Sequence, residues 1–81
     1  MISAAQMRAG RALVGMTQEQ LATAAGLSGQ TIKRMETMGT DRSSAGNVDA
    51  IRKALEAAGV QFIPENGGGA GVRLAKPGSA T

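Results

Sequence analysis

The chain has 81 residues, enough for one domain, and 42% of them are hydrophobic. It contains no Cys and no His, which excludes disulfide bonds, thiol catalysis, zinc fingers and histidine acid–base chemistry. Nine basic residues against six acidic ones give a net charge of +3, a modest excess that suits a polyanionic partner without establishing one.

Size and hydropathy set two further limits. A domain this small buries only about 60% of the surface of its unfolded chain, so its core must be thin and dimerisation would add buried area. The sequence lacks the roughly 18 to 20 continuous apolar residues that cross a bilayer, and it lacks a signal peptide. We therefore expect a soluble, cytoplasmic protein.

The first element is predicted to be a helix over Ile2–Val14. Ser3 is a candidate N-cap, and Gly15 is a natural C-terminal stop. A glycine inside a helix costs about 1 kcal/mol relative to alanine, so Gly10 indicates close helix packing. The residues expected to face the core are Met7, Gly10 and Val14, with Leu13 beside them.

Two short helices are predicted next, on either side of a tight turn. Thr17 and Gln20 have the spacing of a capping box that starts helix 2, and Gly26 can adopt the left-handed backbone that ends it. Ser28 can then cap helix 3, which is expected to run to about Met38. Apolar residues recur at helical spacing on both helices, and Leu27 should point back into their crossing. These positions are Leu21, Ala22, Ala25, Ile32 and Met35.

A loop is predicted over 39–46, followed by helix 4 with Asn47 as its cap and Gly59 as its end. The apolar stripe of helix 4 consists of Val48, Ile51, Ala54, Leu55 and Ala58. Residues 60–75 are predicted to form a β-hairpin, and 76–81 a disordered tail. The glycine-rich segment 67–71 is interpreted as the hairpin turn, because a phosphate loop requires a following Lys-Ser/Thr and a helix.

Helix 3 is predicted to present an outer face of amide and cationic groups, made of Gly29, Gln30, Lys33 and Arg34. Two helices joined by so short a turn have the geometry of a helix-turn-helix. Such a second helix, held at its base by apolar residues, is the kind of surface that enters a DNA major groove.

Residues 5–58, and 17–36 most of all, resemble the helix-turn-helix family of phage Cro and C1-type repressors, the XRE family. Ala22, Gly26, Leu27, Ile32 and Met35 match its small, turn and core positions. The resemblance implies a mainly α, lambda-repressor-like domain of four helices over 1–59, followed by a short C-terminal β-hairpin over 60–75. The C-terminal segment looks like the end of short bacterial members in which a hairpin follows helix 4.

The resemblance also implies roles for individual residues. Gln18 matches a glutamine that touches a DNA phosphate and braces the recognition helix, and Arg11 and Glu36 match a pair that forms a structural salt bridge. Gly29 departs from the pattern, because relatives often carry a polar base-reading side chain there. Either readout falls on the other outward residues, or Gly29 allows the helix N-terminus to approach a phosphate closely.

The predicted DNA-binding residues fall into two groups. Gln30 can pair with an adenine edge, and Lys33 or Arg34 with guanine O6 and N7. The remaining candidates are expected at the phosphate backbone, where cap residues and loop cations commonly bind. They are Gln18, Ser28, Thr31, Arg42 and Ser44, and Gly29 joins them if it allows the helix N-terminus to approach a phosphate.

The predicted function is that of a sequence-specific, double-stranded-DNA-binding transcriptional regulator that acts as a homodimer, located on the nucleoid when bound. No cofactor, metal, small-molecule ligand or catalytic residue is predicted. The dimer surface is expected to use helix 4 and the hairpin, because the apolar residues of the hairpin do not suit a free edge. They are Phe62, Ile63, Val72 and Leu74. The alternative is an antitoxin-like protein that binds a partner protein as well as DNA.

Overall fold

The computed structural model describes residues 1–75, which form four helices and a two-stranded hairpin. The elements are α1 (Ala4–Val14), α2 (Gln18–Ala25), α3 (Gly29–Met38), α4 (Ala45–Ala57), β1 (Val60–Ile63) and β2 (Gly71–Leu74). This is the mainly helical, lambda-repressor-like arrangement with a C-terminal hairpin that the sequence predicts. The tail predicted for 76–81 lies outside the described residues.

α1 begins at Ala4 rather than at Ile2, because Ser3 is its N-cap and has an extended backbone. The Ser3 hydroxyl accepts a hydrogen bond from the Gln6 backbone N–H at 3.1 Å, and the Gln6 side chain accepts one from the Ser3 N–H at 2.9 Å. Ile2 precedes this capping box and is buried. At the other end, Gly15 has φ +67° and terminates the helix as predicted.

The start of α4 differs from the prediction. Ser44, and not Asn47, is the N-cap, since the Ser44 hydroxyl accepts a hydrogen bond from the Asn47 N–H at 3.1 Å. The helix therefore already includes Gly46, which was assigned to the loop. Sequence spacing alone could not choose between two good capping residues so close together.

The end of α4 also differs slightly. The helix ends at Ala57, and Ala58 is its C-cap with an ordinary right-handed backbone. Gly59 follows with φ +108° and redirects the chain into β1. The glycine was correctly predicted as a break, but it makes the turn after the helix rather than capping it.

The core is formed by all four helices and β1, and it is as thin as the composition suggests. Gly10 faces this core, because a Cβ there would lie 3.4 Å from both Leu55 Cδ1 and Val60 Cγ1, which is an ordinary van der Waals distance. A need for glycine at this position stays a prediction. The buried hydrophobic residues are Ile2, Met7, Leu21, Ala22, Ile32, Met35, Val48, Ile51, Leu55 and Val60.

The hairpin packs against α1 and α4 of the same chain. Its strands are antiparallel, with Val60 opposite Leu74 and Phe62 opposite Val72. The Gln6 side chain in α1 donates a 3.0 Å hydrogen bond to the Gly71 carbonyl, which ties β2 to the helical body. Between residues 1 and 75, no helix is long and apolar enough to cross a membrane.

Candidate nucleic-acid interface

The connection between α2 and α3 has the backbone that the sequence predicts. α2 begins with a reciprocal capping box, in which Thr17 and Gln20 exchange hydrogen bonds of 2.9 and 3.0 Å. It ends at Gly26, whose φ of +70° lets the Leu27 N–H reach the Ala22 carbonyl at 2.9 Å. Leu27 packs against the core, as expected. Hydrogen bonds thus fix the start of α2 and its end at the turn.

α3 is amphipathic, with one face in the core and one in solvent. Ile32 and Met35 are completely buried against the rest of the helical body. Gln30, Lys33 and Arg34 are exposed on the opposite face. They line a shallow groove along the helix together with Ser28, Thr31, Thr37 and Met38. The three residues predicted to read bases therefore share one accessible surface.

Ser28 and Thr31 form the N-terminal cap of α3. The Ser28 hydroxyl accepts a hydrogen bond from the Thr31 N–H at 3.1 Å and lies 2.8 Å from the Thr31 hydroxyl. Both side chains line the groove. This position at a helix N-terminus suits an anion as well as a cap, so their predicted phosphate contacts are compatible with their structural role.

A buried carboxylate anchors α3 to α1 and α2. Glu36 is only 3% exposed and accepts hydrogen bonds from Arg11 Nε and Nη2 at 2.7 and 2.8 Å. Gln18 Nε2 donates to the same carboxylate at 3.0 Å. Arg11 also donates to the Met16 carbonyl at 3.0 Å, and Arg8 donates to the backbone carbonyl of Glu36. The predicted Arg11–Glu36 pair is therefore present, with Gln18 as its third member.

The electrostatics of this network favour the charged forms of both partners. Burial by itself raises the pKa of Glu36, but the hydrogen bonds from Arg11 and Gln18 and the charges of Arg11 and Arg8 outweigh it. The net pKa of Glu36 lies below its ordinary value. The hydrogen bond to Glu36 likewise raises the pKa of Arg11, against the effect of burial. Glu36 is thus ionised and holds α3 by charge-assisted hydrogen bonds.

The arrangement is that of a helix-turn-helix, and comparison with known families agrees. A family model described as Helix-turn-helix matches residues 7–59, which is well over half of the chain. This chain belongs to the Cro/C1-type helix-turn-helix family. It is thus a DNA-binding regulator of the XRE kind. No curated protein matches the sequence significantly.

Within this Cro/C1-type fold, Arg42 and Ser44 lie in the loop between α3 and α4. Both are exposed. Ser44 caps α4, so its hydroxyl stands at a helix N-terminus, as those of Ser28 and Thr31 do. Contact of either residue with DNA remains a prediction. The position of Ser44 at a helix N-terminus makes it suited to a phosphate.

Gly29 is the first residue of α3 and is not at a left-handed backbone position. In the folded chain, the Glu19 carboxylate of α2 occupies the space that a Cβ at residue 29 would need. Sequence reasoning overlooked Glu19. The two residues come together only across the turn, and no periodicity within either helix indicates this.

The four residues predicted for the dimer interface do not form one exposed surface. Phe62 and Val72 are half-buried and pack against the core of their own chain. Ile63 is also half-buried, whereas Leu74 is 55% exposed. Their role in dimerisation stays a prediction, and its most accessible member is Leu74.

Proposed function

We propose that this protein is a sequence-specific transcriptional regulator that binds double-stranded DNA as a homodimer. The observation that carries the proposal is the division of α3 into a buried face and an exposed face of amides and cations. Among residues 1–75, neither Lys33 nor Arg34 forms a salt bridge. Their charges are therefore available to an external anion.

The proposed mechanism places α3 of each subunit in successive major grooves, about 34 Å apart, on an operator with two-fold character. Gln30 pairs with an adenine edge, and Lys33 or Arg34 pairs with guanine, each good pair discriminating by about 1 to 3 kcal/mol. Such DNA-bound regulators occupy the nucleoid in the cytoplasm. Neither a cofactor nor catalysis enters this mechanism.

Phosphate contacts supply most of the proposed affinity, so binding should weaken steeply with salt. Gln18 illustrates how one side chain serves both fold and binding. Its amide nitrogen carries two N–H groups, and one of them is donated to Glu36. The second remains available for a phosphate. Ser28, Thr31, Arg42 and Ser44 are the other proposed phosphate contacts.

Selection of binding sites from a random DNA library tests the proposal. Wild type should enrich one sequence with two-fold character, and Gln30→Ala and Arg34→Ala should lose sequence preference more than affinity for bulk DNA. Lys53→Ala is a matched control, since it removes one positive charge from the exposed surface of α4. Absence of any enriched sequence with wild type would refute sequence-specific recognition. Equal loss on every sequence would assign Gln30 and Arg34 to the phosphate backbone.

The homodimer is proposed to use the exposed side of the hairpin at Leu74. Truncation after Gly59 is a poor test, because it removes the core residue Val60 together with the hairpin. Leu74→Lys changes the surface and leaves the core intact. Sedimentation at several concentrations should show a larger dissociation constant for Leu74→Lys. Unchanged dimerisation would place the interface elsewhere, and co-purification with another protein would favour the antitoxin-like alternative.

A further inference from the structure

We propose that Glu19, a residue of α2, reads a base pair in place of the side chain missing at Gly29. This inference rests on the proposed sequence-specific function and adds a determinant to it. The contact would be acceptance of a hydrogen bond from the exocyclic N4 amino group of a cytosine in the major groove. The preferred operator would therefore carry cytosine at one position in each half-site.

The geometry begins with the space above Gly29. The Glu19 carboxyl carbon lies 2.9 Å from the position that a Cβ would take at residue 29, and Oε2 lies 3.0 Å from it. Oε1 is closer still. Real Cβ atoms do not approach other atoms so closely. The carboxylate thus fills the side-chain volume of the first residue in α3.

That volume is a base-reading position in the proposed complex. The N-terminal residues of a recognition helix contact base edges, while the helix preceding it crosses the backbone. Lys33, four residues after residue 29, is its neighbour along α3 and lies on the exposed face already assigned to the major groove. A functional group placed at residue 29 would enter the groove beside Lys33.

The carboxylate is available for an external donor. Glu19 is exposed, and among residues 1–75 it takes part in no salt bridge. The positive end of the α3 dipole lies beside it and favours its position there. The alternative role is an electrostatic one, in which Glu19 only interacts favourably with the helix dipoles, since it also lies in the first turn of α2.

A carboxylate at this position would favour bases that offer a hydrogen-bond donor and disfavour bases that offer only acceptors. Glutamate and aspartate accept hydrogen bonds from cytosine N4, whereas adenine presents its N6 donor beside the N7 acceptor, which a carboxylate would face without a partner. Guanine O6 and thymine O4 offer only acceptors there, so a carboxylate facing them would be desolvated without a partner. Cytosine should be preferred at this position by about tenfold over those bases, within the range of good base contacts.

Site selection with Glu19→Gln and Glu19→Ala tests the inference, with Glu65→Gln as the control for loss of one negative charge. Glu65 is an exposed residue of the hairpin connection. Both Glu19 variants should lose the cytosine preference at one position per half-site and keep the preferences at the other positions. Glu65→Gln should keep all of them.

Gly29→Ala provides a second test in which charge is unchanged. The added Cβ must displace the Glu19 carboxylate, which is the end of a flexible side chain, so folding should not suffer. The cytosine preference should weaken although the glutamate remains. Thermal unfolding followed by circular dichroism would verify that Gly29→Ala is folded.

The outcomes separate this inference from the function on which it rests. Wild-type enrichment with cytosine preference lost only in the Glu19 and Gly29 variants supports it. It is overturned if those variants retain the wild-type cytosine preference. Tighter binding of the two Glu19 variants to every sequence would then assign Glu19 a purely electrostatic role. Failure of wild type to select any sequence would instead refute the proposed function itself.

Discussion

The two ends of this molecule are held by different means. At the helix-turn-helix end, the buried Glu36 carboxylate accepts hydrogen bonds from side chains of α1 and α2, and the turn is closed by backbone hydrogen bonds. At the hairpin end, two short strands lie on α1 and α4 and leave Leu74 largely exposed. An isolated hairpin is only marginally stable in water. The orientation of α3 is thus specified by contacts within the monomer, whereas the hairpin leaves an apolar side chain exposed to solvent.

The largest expected effect lies in the buried network. Glu36→Ala leaves the Arg11 guanidinium without its partner, and breaking a buried ion pair costs about 3 to 5 kcal/mol. Arg11 remains partly exposed, so we expect the lower end of this range. Urea unfolding measures the change. Glu56→Ala, which removes a surface partner of Arg52, should cost less than about 1 kcal/mol. Similar costs for both variants would contradict the central role of Glu36.

The next largest difference in stability is expected between two glycine-to-alanine changes, one in each region. Gly26→Ala forces a Cβ into a left-handed conformation and should cost about 1 to 2 kcal/mol. Gly68→Ala in the hairpin connection has open space and no such backbone, so it should change stability by less than about 0.5 kcal/mol. Thermal unfolding of the two variants under the same conditions compares them. Equal shifts in melting temperature would show that the left-handed backbone at Gly26 does not make Gly26→Ala destabilising.

Low pH should lower the free energy of unfolding, because protonation of Glu36 removes its charge from the helix-turn-helix end. Its folded pKa lies below its ordinary value of 4.5, so its contribution is fully present above pH 4.5 and is lost as pH falls through the folded pKa. Urea unfolding between pH 7 and pH 3 should therefore show a decline that is smaller in Glu36→Gln.

Asp49 also has a lowered pKa, caused first by its hydrogen bond to Arg52, but it lies on the surface. High salt should therefore reduce the contribution of Asp49 to the pH dependence of stability more than it reduces the contribution of Glu36. A pH dependence that is identical in wild type and Glu36→Gln would contradict this assignment.

The smallest effect on folding is expected at Leu74. Leu74→Ala removes an exposed side chain and should change the stability of the monomer by about 0.5 kcal/mol or less. Phe62→Ala, on the packed side of the same hairpin, should cost more because Phe62 contacts the core. Unfolding at low protein concentration separates these intrinsic effects from association. A larger loss for Leu74→Ala than for Phe62→Ala would mean that Leu74 is not a surface residue in solution.

Local sequence signals predicted the elements best where side chain and backbone interact within one turn. The Thr17–Gln20 capping box and the left-handed Gly26 are both present as expected. The predicted start of α4 was wrong because Ser44 and Asn47 are both good caps. The sequence does not show which of them adopts the extended backbone. Among the site residues, the exposed face of α3 followed directly from helical spacing.

What the sequence alone determined is therefore the order of the elements, the two-sided character of α3 and, through family resemblance, the Arg11–Glu36 pair. The first two depend on periodicity and on residues close together in the chain, whereas the Arg11–Glu36 pair joins α1 and α3 and was predicted only through the resemblance. The tertiary structure decided that Glu19 fills the space above Gly29 and that Phe62 and Val72 face their own core. Such contacts join residues from different elements, and their partners depend on how those elements pack. No local pattern encodes that packing.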